Sequence, residues 1–92
     1  MKDTIRTLHP EQKQGVNISR EKYEIICDAI MSTLHTQKEM TFMNLSRAVE
    51  KQIHGKFEGS VTWYVTTVKL DLEARGMIKR VPHSRPQLVR LA

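Results

Sequence analysis

SVTWYVTTVKLDLEARGMIKRVPHSRPQLVRL, residues 60–91, is the stretch whose reading decides the fold. Val61, Val65, Val68 and Leu72 recur at steps of four, three and four, which places them on one face of a helix. The β-branched run from Val61 to Val68 favours a strand by propensity alone, because such side chains are stiff about χ1. The helical period and a distinct end outweigh it. Ser60 has the chemistry of an N-cap, since its hydroxyl can accept from an unpaired amide of the first turn. Gly76 is suited to the left-handed residue that closes a helix, with Met77 beyond it to complete a Schellman motif. Two short strands are then expected, Met77–Val81 and Gln87–Leu91, around the loop Pro82-His83-Ser84-Arg85-Pro86. Each proline falls at a strand boundary, where its missing N–H does least harm.

Upstream, two more helices are expected. Ser19 can cap the first, with Ile18 and Tyr23 spaced as a hydrophobic staple. Tyr23, Ile26, Cys27, Ile30 and Leu34 then share one face, which predicts a helix over about residues 20–36. After the polar break at 37–39, residues 40–42 offer a short third strand, and Thr41 can cap a second helix with the stripe Phe42, Leu45, Val49 and Ile53. Gly55 is its natural terminator. Residues 1–17 are polar, contain Pro10 and Gly15, and show no sustained period. They read as a flexible N-terminal arm, with Ile5, Leu8 and Val16 available to dock on a body spanning 18–92. The expected class is α+β: three helices, a C-terminal β-hairpin and a stub of strand.

Charge is distributed unevenly. The net charge is +5, yet residues 60–76 balance, while residues 77–92 hold Lys79, Arg80, Arg85 and Arg90 with no acid. Concentrated positive charge on one element is the footprint of a polyanion partner, and equally a way to keep a hairpin edge from pairing. Ninety-two residues suffice for one domain with a modest core. Cys27, the single cysteine, cannot close an internal disulfide, and the residues after Met1 lack a signal peptide's apolar segment, so a cytoplasmic protein is expected. No apolar run reaches the roughly 18 residues of a membrane span.

Nothing suggests catalysis. His9, His35, His54 and His83 are scattered, with no metal-ligand spacing, and the four glycines form no phosphate loop. Cys27 reads as a structural thiol. Neither cofactor, metal nor small-molecule substrate is expected.

The order of elements, with VTTVKLDLEARGMIKRV (65–81) at its centre, resembles the winged helix-turn-helix superfamily across about residues 19–91. The whole stretch is also similar to a small group of bacterial proteins of this length. The superfamily resemblance implies that Val61–Arg75 is a recognition helix approaching the major groove, and that the 82–86 loop is a wing on a neighbouring phosphate or the minor groove. It implies double-stranded DNA as partner and a transcriptional regulator working as a homodimer as the role: Ser60, Thr62, Thr66 and Lys69 on the helix, Lys79, Arg80, His83 and Arg85 on or near the wing. The helix face opposite Val65 departs from that pattern. It carries Trp63, Thr67, Leu70 and Ala74, and two large apolar groups cannot read a donor–acceptor code. Trp63 and Leu70 therefore point to an alternative, a winged helix used as a protein-interaction or homodimerisation module. Cover by the N-terminal arm or by the wing, and base stacking with single strands, are further roles for the same pair.

Overall fold

Each of the three helices begins at a hydroxyl. Ser19 accepts from the Lys22 amide at 3.4 Å, Thr41 from Asn44 at 3.2 Å and Ser60 from Trp63 at 3.2 Å. These bonds satisfy donors that the first helical turn leaves unpaired, and so fix where the chain becomes helical. The computed structural model describes residues 3–11, 13–55 and 57–92. Its helices are α1 (Arg20–Gln37), α2 (Phe42–Ile53) and α3 (Val61–Ala74). The first two match the expected spans to within a residue or so.

The ends are equally specific. Gly76 sits at φ +76°, its amide bonded to the Glu73 carbonyl (3.1 Å), while Met77 N–H reaches the Leu72 carbonyl (2.9 Å). That pair of bonds is the Schellman motif expected after α3. Lys38 ends α1 at φ +72° without being a glycine.

Strand β3 (Glu39–Thr41) is the predicted stub, shifted by one residue. It pairs antiparallel with β5 (Leu88–Leu91), which also pairs antiparallel with β4 (Ile78–Arg80), giving the order β3-β5-β4. The register sets Glu39, Arg90 and Lys79 in one row across the sheet, and Met40, Val89 and Arg80 in the next. Because side chains alternate along a strand, these rows face opposite ways.

A single core joins the elements. Ile26, Ile30 and Leu34 of α1, Leu45 and Val49 of α2, and Val65, Val68 and Leu72 of α3 meet Ile78 and Val89 of the sheet, all at most 1% exposed. Each such side chain gains about 1.5–3 kcal/mol on burial. The architecture is thus α+β, with three helices and two small antiparallel sheets.

The second sheet lies where none was expected. Residues 3–17, read as an arm without regular structure, contain β1 (Thr4–Arg6), which pairs antiparallel with β2 (Asn17–Ser19) in the register Ile5 to Ile18. Ile18 is buried and Ile5 packs against the core. The loop between the strands is braced at its neck. Thr7 N–H donates to the Val16 carbonyl (2.8 Å), and Val16 N–H donates to the Thr7 hydroxyl (3.0 Å). Met1, Lys2, Gln12 and Lys56 lie outside the described residues. No helix among the described residues is long and apolar enough to cross a membrane.

Candidate nucleic-acid interface

With Val65, Val68 and Leu72 turned into the core, the remaining surface of α3 divides into two stripes. Residues advance by about 100° each, so Trp63, Thr67, Leu70 and Ala74 fall within about 60° of one another. Thr62, Thr66, Lys69 and Glu73 form a second stripe, roughly 60–120° away. The first faces the β1–β2 hairpin. Trp63, Thr67 and Leu70 line a cavity of about 180 Å³ together with Leu8 and Val16 of the hairpin loop. Farther along, Glu73 and Ala74 border a wider open groove of about 710 Å³ beside Arg6, His9 and Lys13.

The second stripe faces the β4–β5 side. Thr62 is exposed, and Thr66 is half-buried with its hydroxyl donating to the Thr62 carbonyl at 2.9 Å. Lys69 does not project freely. Its ammonium lies 2.7 Å from Glu73 Oε1 and over the Phe42 ring, 5.6 Å from the centroid. Arg80 likewise donates through Nε to Glu73 Oε2 at 2.7 Å. Strand parity explains why: Ile78 points into the core, so Arg80, two residues on, leans the same way and meets α3. Glu73 Oε1 has no hydrogen-bond partner among the described residues, and Lys69 compensates it as a charge contact. One nearly buried carboxylate thus gathers two of the cations expected to face DNA.

The other cations are disposed differently. Lys79, Arg85 and Arg90 are exposed, and none makes an ion pair among the described residues. Lys79 stands directly opposite Arg90, a like-charged cross-strand pair that is unfavourable by itself. Glu39, on the other side of Arg90, offsets only part of that charge. Arg85 and exposed His83 (φ +62°) sit on a braced loop. Ser84 donates to the Val81 carbonyl (2.8 Å) and accepts from Leu88 N–H (2.9 Å), and the Gln87 amide donates to Val81 as well (2.9 Å).

Asp71 was invisible as a functional residue in the sequence, yet it organises this face. Fully buried, it accepts Leu8 N–H from the hairpin loop (2.8 Å), the Tyr23 hydroxyl from α1 and the Arg75 guanidinium (2.9 Å). The i,i+4 spacing of Asp71 with Arg75, and of Lys69 with Glu73, is legible. Nothing local foretells Leu8, 63 positions away. Burial, reinforced by the bond to Asp71, lifts the Tyr23 phenol well above its ordinary range, so it stays a donor at neutral pH. Arg75 is raised too, chiefly by its bond to Asp71.

The remaining expected residues are distributed as follows. Ser60 spends its hydroxyl on the cap of α3. Trp63 is exposed and set edge-on to Tyr64, with ring centroids 4.9 Å apart. Leu70 is half-buried under the hairpin. Cys27 is partly buried beside the core, where burial pushes its thiol pKa up. Among the described residues no group of three His, Cys, Asp or Glu side chains converges as a metal site would require.

An α+β domain whose third helix is flanked by two small hairpins, one neutral and one cationic, is the class these features define. The chain belongs to DUF6958, a family of unknown function whose model matches residues 4–89, so the N-terminal hairpin falls within the family's extent. Neither the curated proteins nor the solved structures contain a match to it.

Proposed function

We propose that the chain is a winged helix-turn-helix protein that binds double-stranded DNA, with α3 as recognition helix and the β4–β5 hairpin as wing. The order helix, strand, helix, helix, strand, strand, with the last strand central in its sheet, supports the fold reading. The observation that carries the binding reading is the set Lys79, Arg85 and Arg90, exposed on one hairpin, none in an ion pair among the described residues and with Glu39 opposite Arg90 the one acid in their row. Exposed cations on paired strands and a braced loop suit phosphate oxygens, since arginine presents a fork that fits them and an ordered hairpin loses little freedom on binding.

The helix contributes less than its position suggests. Thr62 and Thr66 are its polar groups toward the wing, while Lys69 and Arg80 are engaged by Glu73. Binding is therefore dominated by backbone charge, with weak discrimination between sequences. The second reading, a winged helix serving as a protein-interaction module without DNA, is favoured by one feature: the solvent-facing indole of Trp63 on the hairpin side of α3.

Titration of random duplex DNA at low and moderate salt tests the first reading. Affinity is expected to fall steeply with salt, and the slope of log K against log salt to shrink by roughly 0.9 for each phosphate contact removed in Lys79→Ala/Arg85→Ala/Arg90→Ala. Absence of binding at low salt, or a slope untouched by the triple substitution, overturns it.

A further inference from the structure

We infer, building on the DNA reading, that the loop of the β1–β2 hairpin is a built-in cover over α3, which keeps duplex DNA from all but the first turn of that helix. The face of a recognition helix turned from the core is the one that enters the groove. With Val65, Val68 and Leu72 inward, that face here is Trp63, Thr67, Leu70 and Ala74. The hairpin loop lies on it. Leu8 and Val16 meet Trp63, Thr67 and Leu70 around the cavity of about 180 Å³, and Ala74 shares the wider groove with Arg6 and Pro10. Thr62 and Trp63 are exposed as a result, while no residue from Tyr64 to Ala74 is.

Dimensions decide what this does to docking. A helix with its side chains is about 10–12 Å across, which already fills a major groove about 12 Å wide. A chain laid beside it adds about 5 Å, the spacing of neighbouring strands. Helix and loop together do not enter. The first turn of α3 stays clear and can meet base edges end-on, with Thr62 and Trp63 foremost.

The loop is also longer than its hairpin requires. The bond from Thr7 N–H to the Val16 carbonyl continues the register of Ile5 with Ile18, and two residues are enough to close a ladder at that point. Eight intervene, residues 8–15. None of those that the structure describes belongs to the hydrophobic core or packs against it, and Leu8 is itself exposed. What fixes the loop to α3 is polar: Leu8 N–H donates to the buried carboxylate of Asp71 at 2.8 Å. The loop thus adds little to the core, and its one specific tie holds it over the reading face.

Two variants test this. Asn-Gly in place of residues 8–15 removes the cover and leaves the net charge as it was, because that stretch holds one acid, Glu11, and one base, Lys13. Leu8→Pro removes only the N–H of the tie. Both are compared with the wild type in duplex titrations at low and moderate salt, with circular dichroism to verify the fold and acrylamide quenching of Trp63, the single tryptophan. Quenching is expected to rise in both as the helix face opens. Duplex affinity is expected to rise about tenfold in the shortened chain, the effect of one added base-edge contact, and about threefold in Leu8→Pro. The salt slope stays as it was, since no charge is gained. Should the shortened chain misfold, Leu8→Pro carries the test by itself. Unchanged quenching, or an affinity unchanged or reduced in a folded variant, overturns the cover while the wild type's own binding leaves the DNA reading standing. No binding by any of the three at low salt removes the DNA reading, and this inference with it.

Discussion

Two hairpins flank α3, and each is held by a carboxylate of that helix. The β1–β2 hairpin is tied to Asp71 through the Leu8 amide, and the β4–β5 hairpin to Glu73 through Arg80. Asp71 is fully buried and accepts from three sources, whereas Glu73, itself nearly buried, is held by two cations, of which Arg80 is half exposed. The difference lies in the partners. A backbone amide packed beside a buried carboxylate has no other acceptor, while a half-exposed guanidinium can trade its acceptor for water or a phosphate. The first hairpin is therefore tied through its backbone, and the second through a side chain free to exchange its contact for a ligand's.

The largest effect is expected where that contrast begins. Asp71→Ala leaves the Tyr23 hydroxyl and the Leu8 amide without their acceptor, and is expected to destabilise the fold by about 3–5 kcal/mol in urea unfolding. For a domain whose total stability is of order 5–15 kcal/mol, this approaches loss of the folded state. A loss below about 1 kcal/mol would show that Asp71 does not anchor the hairpin.

Gly15→Ala attacks the same hairpin without touching the carboxylate. An added Cβ falls on the Thr7 carbonyl, which is backbone and cannot swing aside. A cost of about 1–3 kcal/mol is expected from the enforced shift. Hydrogen exchange should locate it at the Thr7 and Val16 amides, with α2 and the β4–β5 hairpin unaffected.

These two positions also show what the sequence does and does not carry. The helix boundaries and the β4–β5 hairpin are written in local chemistry: Ser19, Thr41 and Ser60 at the starts, Gly76 at a stop, Pro82 and Pro86 around a loop. Each acts on neighbours within a few residues. The β1–β2 hairpin has no such signal. Its strands have three residues each, pairing Ile5 with Ile18 across an irregular loop, and its docking rests on a bond spanning 63 positions. Only the packed core brings Asp71 to Leu8. The candidate site is legible to an intermediate degree. The cationic hairpin follows from composition, and the destination of Arg80 follows from strand parity once Ile78 is known to face inward. The covering of Leu70 by the first hairpin depends on an element with no local signature.

Tyr23→Phe separates the bond from the burial. The phenol's pKa is raised above its usual value of about 10, first by burial and then by Asp71, so its folded form holds the proton more tightly than its unfolded form. That contribution is fully present below pH about 10 and is lost as pH climbs above it. Tyr23→Phe is expected to cost about 1–2 kcal/mol at neutral pH, since it removes one donor from a buried carboxylate. It should also flatten the alkaline limb of the stability curve. An alkaline limb identical to that of the wild type would place the titrating group elsewhere.

Glu73→Gln is the smallest perturbation of stability and the most direct probe of the second hairpin. The amide oxygen still accepts from Arg80, and the long Lys69 stem can carry its ammonium outward to water, so a loss under about 1 kcal/mol is expected. The effect on DNA has the opposite sign. With the carboxylate neutralised, Lys69 is released and Arg80 keeps only a neutral acceptor that a phosphate can displace, and the wing side of α3 gains one unit of positive charge. Duplex affinity should then rise, with the salt slope steepening by roughly one to two units as up to two contacts are added. Weaker binding by Glu73→Gln would mean that Arg80 must be held against α3 to present the wing correctly. Glu73 would then be a positioning residue, and the tie would serve the interface it otherwise restrains.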